Sequence, residues 1–234
     1  VGFEELYGSD YVKMLDMFCG TKSMSNVFKE AGHDVFTIDF DSQHSPDLCI
    51  DIMDLELDML PWKPDYIHAS PDCSCFSVAS IGHHWNPDRT PKTQKCKDSI
   101  ALIEKTVKFI LKTNPVCYSI ENPTCITRKL EIMKKLEKMG FRNTVTYCQY
   151  GDSRMKKTDF WHNIGTWHPR KACKNGDPCH VRAPRGSRTP GSTQGIGDRV
   201  GRAKIPKQLC VEMMYAIEEA MLCGYLLGAN LHRS

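Results

Sequence analysis

The sequence contains no run of about 18 apolar residues, so nothing in it reads as a membrane-spanning helix. Val1 to Asp10 has neither a basic start nor an apolar stretch and carries Glu4, Glu5 and Asp10, so a secretory leader is not expected there. There is no internal repeat and no low-complexity tract. Net charge is small, +3 at pH 7. Cysteine, by contrast, is plentiful, with 12 among 234 residues. Scattered through a chain of this size, with no leader, these read as reduced thiols of a cytoplasmic or nuclear protein rather than a disulfide framework. Hydrophobic residues at 41% and charged residues at 25% describe a core-forming chain, long enough for one α/β domain with a small appendage.

The small net charge hides an asymmetry. Residues 1–100 hold eight Lys and Arg against seventeen Asp and Glu, whereas residues 154–207 hold thirteen against three. A basic half of this kind points to a polyanionic partner.

Along the chain, apolar strand-like runs alternate with amphipathic stretches. Strands are expected at 11–18, 34–40, 47–52, 65–69, 116–120 and 141–150. Helices are expected at 24–31, 100–112, 130–139 and 209–227. This alternation implies βαβ units and a mostly parallel sheet. Between 152 and 205 the pattern breaks into a stretch rich in Gly, Pro, Arg and Lys.

In open α/β sheets, ligands bind beyond the carboxyl ends of the strands. The residues delivered there are, in order, Phe18-Cys19-Gly20, Asp39, Asp51, Cys73 and Glu121. An acid ending the second strand commonly accepts hydrogen bonds from ribose hydroxyls.

These residues, in this order, resemble the cytosine-C5 DNA methyltransferases, which use S-adenosylmethionine. Asp16-Met17-Phe18-Cys19-Gly20 is similar to the family's opening Asp-x-Phe-x-Gly motif. Pro71-Asp72-Cys73-Ser74-Cys75-Phe76-Ser77 resembles its Pro-Pro-Cys-x-x-Phe-Ser motif, and Glu121-Asn122-Pro123 its Glu-Asn-Val motif. Gln149-Tyr150-Gly151 resembles the approach to Gln-x-Arg-x-Arg, whose place is taken by Arg154-Met155-Lys156-Lys157-Thr158. The likeness covers roughly residues 11–160 well and is closest to compact phage or viral members. The chain departs from the pattern at Lys22-Ser23, which replaces a glycine, at Asp72, which replaces a proline, and in lacking the late Gly-Asn motif.

The resemblance implies a Rossmann-like S-adenosylmethionine-dependent fold with a small basic target-recognition insert. It divides the chain into a catalytic and cofactor-binding part (1–161), a recognition region (162–200) and a C-terminal helix packing back (201–234). It implies a cofactor site made by Phe18, Cys19, Gly20, Thr21, Asp39, Phe40, Asp51, Ile52 and Ser70. Cys73 is the implied nucleophile, adding to C6 of cytosine so that C5 becomes enamine-like. Glu121 would hold a proton at N3, and Arg154 or Lys156 would steady charge at O2. Cys75, two positions on, reads as a buried thiol. An acid beside Cys73 would raise the thiol pKa unless the Asp72 side chain points away.

The target base must leave the duplex stack. Ser77, Ile81 and Trp85, in the polar stretch after the nucleophile, are expected to meet DNA there. Arg170, Arg182, Arg185 and Arg188 are expected to meet it in the recognition region, whose shortness implies a short site of about two to four base pairs. His168, Cys173, Cys179 and His180 are close in sequence and of the right types for zinc. Their Cys-x5-Cys-His spacing is unusual, so a metal-free loop is expected. The partner is expected to be duplex DNA, with a monomeric protein. RNA with the same chemistry, free cytidine nucleotides, and a non-catalytic nucleic-acid-binding or partner protein remain as rival readings.

Overall fold

The computed structural model describes residues 11–77, 80–181 and 199–231, and in the last segment the side chains of 201–223. Seven strands form one sheet: β1 (Lys13–Met17), β2 (Asp34–Asp39), β3 (Leu48–Cys49), β4 (Tyr66–Ala69), β5 (Cys117–Pro123), β6 (Phe141–Thr146) and β7 (Lys157–His162). Their spatial order is β3-β2-β1-β4-β5-β7-β6. The first five run parallel to their neighbours, and β7 runs antiparallel between β5 and β6. The helices are α1 (Ser23–Glu30), α2 (Ile81–His84), α3 (Gln94–Thr113), α4 (Glu131–Met139), α5 (Arg199–Ala203) and α6 (Lys207–Leu231). Among the described residues, no helix is long and apolar enough to cross a membrane.

Strand alternation divides the core into two layers. Met14, Tyr66 and Phe160 face α1 and α6, where they meet Met24, Phe28, Leu209, Met213 and Ile217. Leu15, Ile67 and Trp161 face α3 and α4, where they meet Ile103, Val107, Ile110, Met133 and Leu136. α6 is tied to the α1 side by Lys207 on Glu30 (2.7 Å) and by Glu218 on the buried His33 (2.9 Å).

Several boundaries differ from those expected. α3 starts six residues early because Thr93 caps it, its hydroxyl accepting from the Cys96 N–H at 3.2 Å. The strand expected over 141–150 stops at Thr146, and Tyr147–Tyr150 wind into a 3-10 turn that ends on Gly151. The strand expected over 47–52 shrinks to Leu48–Cys49, because Asp51 caps a turn at Ile52–Asp54. The 152–205 region holds an unexpected strand, β7. Its pattern is not amphipathic because it is covered on both faces, and its buried Asp159 and His162 have partners elsewhere in the chain.

Asp159 is the main case. It is fully buried, and Arg128 holds both of its oxygens through Nε and Nη2, the latter at 2.6 Å. The Thr144 hydroxyl donates to Asp159 at 2.7 Å, and Arg142 stands 3.8 Å away. Gly140, just before β6, is required because a Cβ there would lie 2.4 Å from the His162 carbonyl of β7.

Removing one partner of a buried pair leaves the other charge uncompensated. Asp159→Ala is therefore expected to cost about 3 kcal/mol of unfolding free energy, read from the urea midpoint at unchanged m-value.

Candidate active site

The ends of the five parallel strands converge. The turn after β1 is held in unusual backbone, with positive φ at Phe18 (62°), Gly20 (39°) and Lys22 (54°). Non-glycine residues rarely adopt this region, and such residues cluster at functional sites. Asp39, at the end of β2, fixes the turn. One of its oxygens accepts from the Gly20 N–H and the other from the Asp41 N–H, both at 3.0 Å. α1 begins directly after this turn, and no side chain caps its first amides. Beneath it, Asp16 is buried and accepts from the Ser25 hydroxyl, and burial pushes its carboxyl up to about 7.

Phe40 follows Asp39 and is 72% exposed. Asp51 is exposed at the end of β3, one oxygen accepting from Met53 N–H at 2.9 Å, with Ile52 buried behind it. Cys19 is buried, with burial pushing its thiol up to about 12, so only its backbone is available to a ligand. Thr21 hydrogen-bonds Ser23 at 2.8 Å. Ser70, beyond β4, is oriented through a buried chain. Tyr66 and Ser119 are 2.7 Å apart, Ser119 and His68 Nδ1 2.8 Å, and His68 Nε2 and Ser70 2.9 Å. Burial depresses His68 to about 3, so it is neutral.

Cys73 is half-buried in the loop after β4. Asn122 of β5 anchors that loop, donating to the Pro71 carbonyl at 3.1 Å while accepting from Thr127 at 2.8 Å. Glu121, its neighbour, is buried; the Tyr147 hydroxyl donates to its Oε1 at 2.9 Å, and Lys156 lies 3.6 Å from the same oxygen. Lys156 also sits 4.7 Å over the Tyr147 ring and donates to the Arg202 carbonyl at 3.3 Å. Burial pushes the Cys73 thiol up to about 11; the carboxylates of Glu121 and Asp72 add to the rise, and Lys156 opposes it. Asp72 is occupied with Ser74, whose hydroxyl donates to it at 2.5 Å. The structure thus brings Cys73, Glu121 and Lys156 together and adds Tyr147, which no short motif marks.

Other expected residues are placed differently. Arg154 is buried and pairs with Asp152 at 2.8 Å and 3.0 Å through Nε. Its Nη1 has no partner among the described residues, and it lines a cleft of about 600 Å³ with Thr21, Tyr150 and Lys204 that includes neither Cys73 nor Glu121. Trp85, expected to meet DNA, is instead buried; it donates to the Cys75 carbonyl at 2.7 Å and packs on Phe76, because the indole fills space under the Cys73 loop. Arg170 is engaged by Glu212 at 2.5 Å and by the Gln149 carbonyl at 2.6 Å, so its guanidinium holds the 3-10 turn to α6. Ile81 is exposed and Ser77 half-buried. Cys75 is fully buried and accepts from Ser99 at 3.5 Å. Arg182, Arg185 and Arg188 lie outside the described residues.

No protein-family model matches the chain, and no curated protein matches it. Among solved structures it is similar to one described as a candidate DNA modification methyltransferase encoded within a prophage (E. coli). That match has 16% identity and a TM-score of 0.50, over 69% of this chain and 52% of the other. It is also similar to the S. pombe Dnmt2 methyltransferase (14%, 0.44, 64% and 48%) and to the Entamoeba histolytica methyltransferase EhMeth (11%, 0.48, 65% and 52%). The chain spans about half the length of these structures. At such identities the likeness bears on the fold alone, a Rossmann-like α/β fold with a mostly parallel seven-stranded sheet.

A thiol held near 11 is protonated at rest, and only the thiolate is nucleophilic. Alkylation of Cys73 by iodoacetamide, followed by peptide mass spectrometry, should accelerate about tenfold per pH unit from about pH 8 to 10. Glu121→Gln should speed it at fixed pH, and Lys156→Met should slow it.

Proposed function

We propose that this chain is an S-adenosylmethionine-dependent methyltransferase that modifies C5 of cytosine in duplex DNA. The observation that carries the reading is that Asn122 ties the Cys73 loop to β5 beside a buried Glu121 whose Oε1 is occupied by Tyr147 and Lys156 and whose charge acts on the Cys73 thiol.

The neighbouring strand ends fit the cofactor. Each oxygen of Asp39 accepts one amide and keeps capacity for a hydroxyl of a ribose. Phe40 offers an exposed aromatic face for adenine, and Asp51 an acceptor for its amino group. The backbone of Phe18 to Thr21 is left for the amino-acid end. Bound there, the cofactor supplies an electrophilic methyl group.

The rest follows from this chain's own side chains. Cytosine C5 is a poor nucleophile until sulfur adds at C6. Cys73 gives its proton, through water, to the Glu121 carboxylate as it forms the S–C6 bond, which pushes electron density toward C5 and N3. Glu121 holds a proton at N3 through Oε2, the oxygen that neither Tyr147 nor Lys156 takes. Tyr147 fixes the carboxyl in that orientation, and the Lys156 ammonium offsets negative charge around the thiolate. Once C5 carries its new substituent, the C5 proton passes to water. The electron pair of that C–H bond re-forms C5=C6, the S–C6 pair returns to Cys73, and the N3 proton passes back through Glu121 to the Cys73 sulfur. Residues 154–207, with their excess of ten positive charges, suit the phosphates of the duplex from which the base is flipped.

Labelled S-adenosylmethionine incubated with unmethylated duplex DNA, then digested to nucleosides, should give 5-methyldeoxycytidine. Cys73→Ala should lower the rate by at least about a thousandfold, and Glu121→Gln by about a hundredfold or more, with cofactor binding retained. Product on transfer RNA but none on duplex DNA would overturn the substrate, and undiminished product from Cys73→Ala would overturn the chemistry.

A further inference from the structure

The fold brings together four donors that are far apart in the chain. Cys148 lies in the 3-10 turn after β6, while Cys173, Cys179 and His180 lie in the loop segment that follows β7. One ligand atom from each falls within 4.8 Å of all the others. Cys148 Sγ is 3.2 Å from Cys173 Sγ and 3.7 Å from Cys179 Sγ. His180 Nδ1 is 3.7 Å from Cys173 Sγ and 3.4 Å from Cys179 Sγ.

A tetrahedral zinc with bonds of about 2.3 Å to sulfur and about 2.0 Å to nitrogen sets S···S near 3.8 Å and S···N near 3.5 Å. Three of the four separations lie close to these values. The fourth, Cys148 to Cys173, is shorter but well beyond the roughly 2.0 Å of a disulfide bond. Donors packed this closely leave room for one ion and not for an iron–sulfur cluster. Three thiolates and an imidazole are a set that favours zinc over hard cations.

His168, the fourth candidate by sequence proximity, is exposed and outside the group. Cys148, 25 residues before Cys173, takes its corner. The adjacent Cys179 and His180 can share the centre because they sit in a turn, where neighbouring side chains need not diverge as in a strand.

We propose that Cys148, Cys173, Cys179 and His180 form a structural zinc site. Its place in the fold gives it a task. Residues 163–181 contain no strand or helix, and such a segment lacks the core to hold itself. It is pinned by the Cys173 N–H on Thr146 Oγ1 (3.0 Å) and by the Val181 N–H on the Ser153 carbonyl (3.2 Å). Zinc would add a cross-link from this segment to Cys148, next to Tyr147, whose hydroxyl holds Glu121. The same ion would therefore anchor the middle of the basic stretch and steady the catalytic carboxyl. Binding replaces three thiol protons by the metal, so three protons are released.

The test is the metal content of the full chain, purified under reducing conditions from zinc-supplemented medium. About one zinc per chain is expected, with cobalt substitution giving the thiolate charge-transfer and intense d–d bands of a tetrahedral site. Cys179→Ser should bind less than about a fifth as much, while Cys179→His, which keeps a ligand, and Cys125→Ser, which lies elsewhere, should retain it. Stripping zinc from the unmodified protein should speed tryptic cleavage after Lys171 or Lys174 about tenfold. Zinc-free protein with no cobalt–thiolate band would overturn the proposal. So would a metal content indifferent to Cys179→Ser, or a Cys148–Cys173 disulfide in protein alkylated at lysis.

Discussion

The fully buried carboxylate of Asp159 carries a large desolvation cost, and the fold meets it with Arg128, Arg142 and Thr144 converging on one point. That point holds β7 antiparallel between β5 and β6. Its register pairs Phe160 with Glu121 on one side and Lys157 with Thr146 on the other. Lys156 just precedes β7 and Tyr147 just follows β6, so this register delivers both to Glu121 Oε1. A one-residue slip would reverse the faces of β7 and carry Phe160 and Trp161 out of their separate core layers. The geometry around the candidate nucleophile is thus a consequence of sheet topology, not of the loop that carries Cys73.

The opposite half of the site rests on a different device. Asp39 spans two turns through amide hydrogens, and the Tyr66–Ser119–His68–Ser70 chain runs through the sheet to the end of β4. Both use buried polar groups that are fully partnered, which rigidifies a region whose turn has three positive φ values. Asn122 then couples the halves by joining β5 to the loop after β4. Preorganised groups of this kind are what transfer chemistry needs, since they cost no rearrangement as charge develops.

Much of this was legible in the residues. The parallel half of the sheet and the acids at strand ends follow from short runs whose spacing reports local structure, whereas Cys73 and Glu121 were joined only by the family resemblance. What stayed hidden is long-range. β7 carries Thr158, Asp159 and His162 among its buried residues, so it has no strand-like apolar alternation until its partners are known. Tyr147 reaches Glu121 across β7. Cys148 meets Cys173 only after the chain has added that strand. Trp85 stands in a polar stretch and reads as a surface aromatic, yet it is buried under the Cys73 loop. Arg154, expected at the cytosine O2, and Arg170, expected on DNA, carry the charge those roles need, yet each is committed to an acid of this chain.

The central claim is that Cys73 adds covalently to cytosine within a site closed by Glu121. Its most direct measurement uses duplex DNA containing 5-fluorodeoxycytidine, incubated with the protein and S-adenosylmethionine. Fluorine at C5 cannot leave as a proton does, so the S–C6 bond persists once formed. The account predicts a denaturation-resistant protein–DNA adduct that maps to the peptide containing Cys73 and is absent from Cys73→Ala. No adduct from protein that binds both DNA and cofactor, or an adduct mapped to another cysteine, would contradict it.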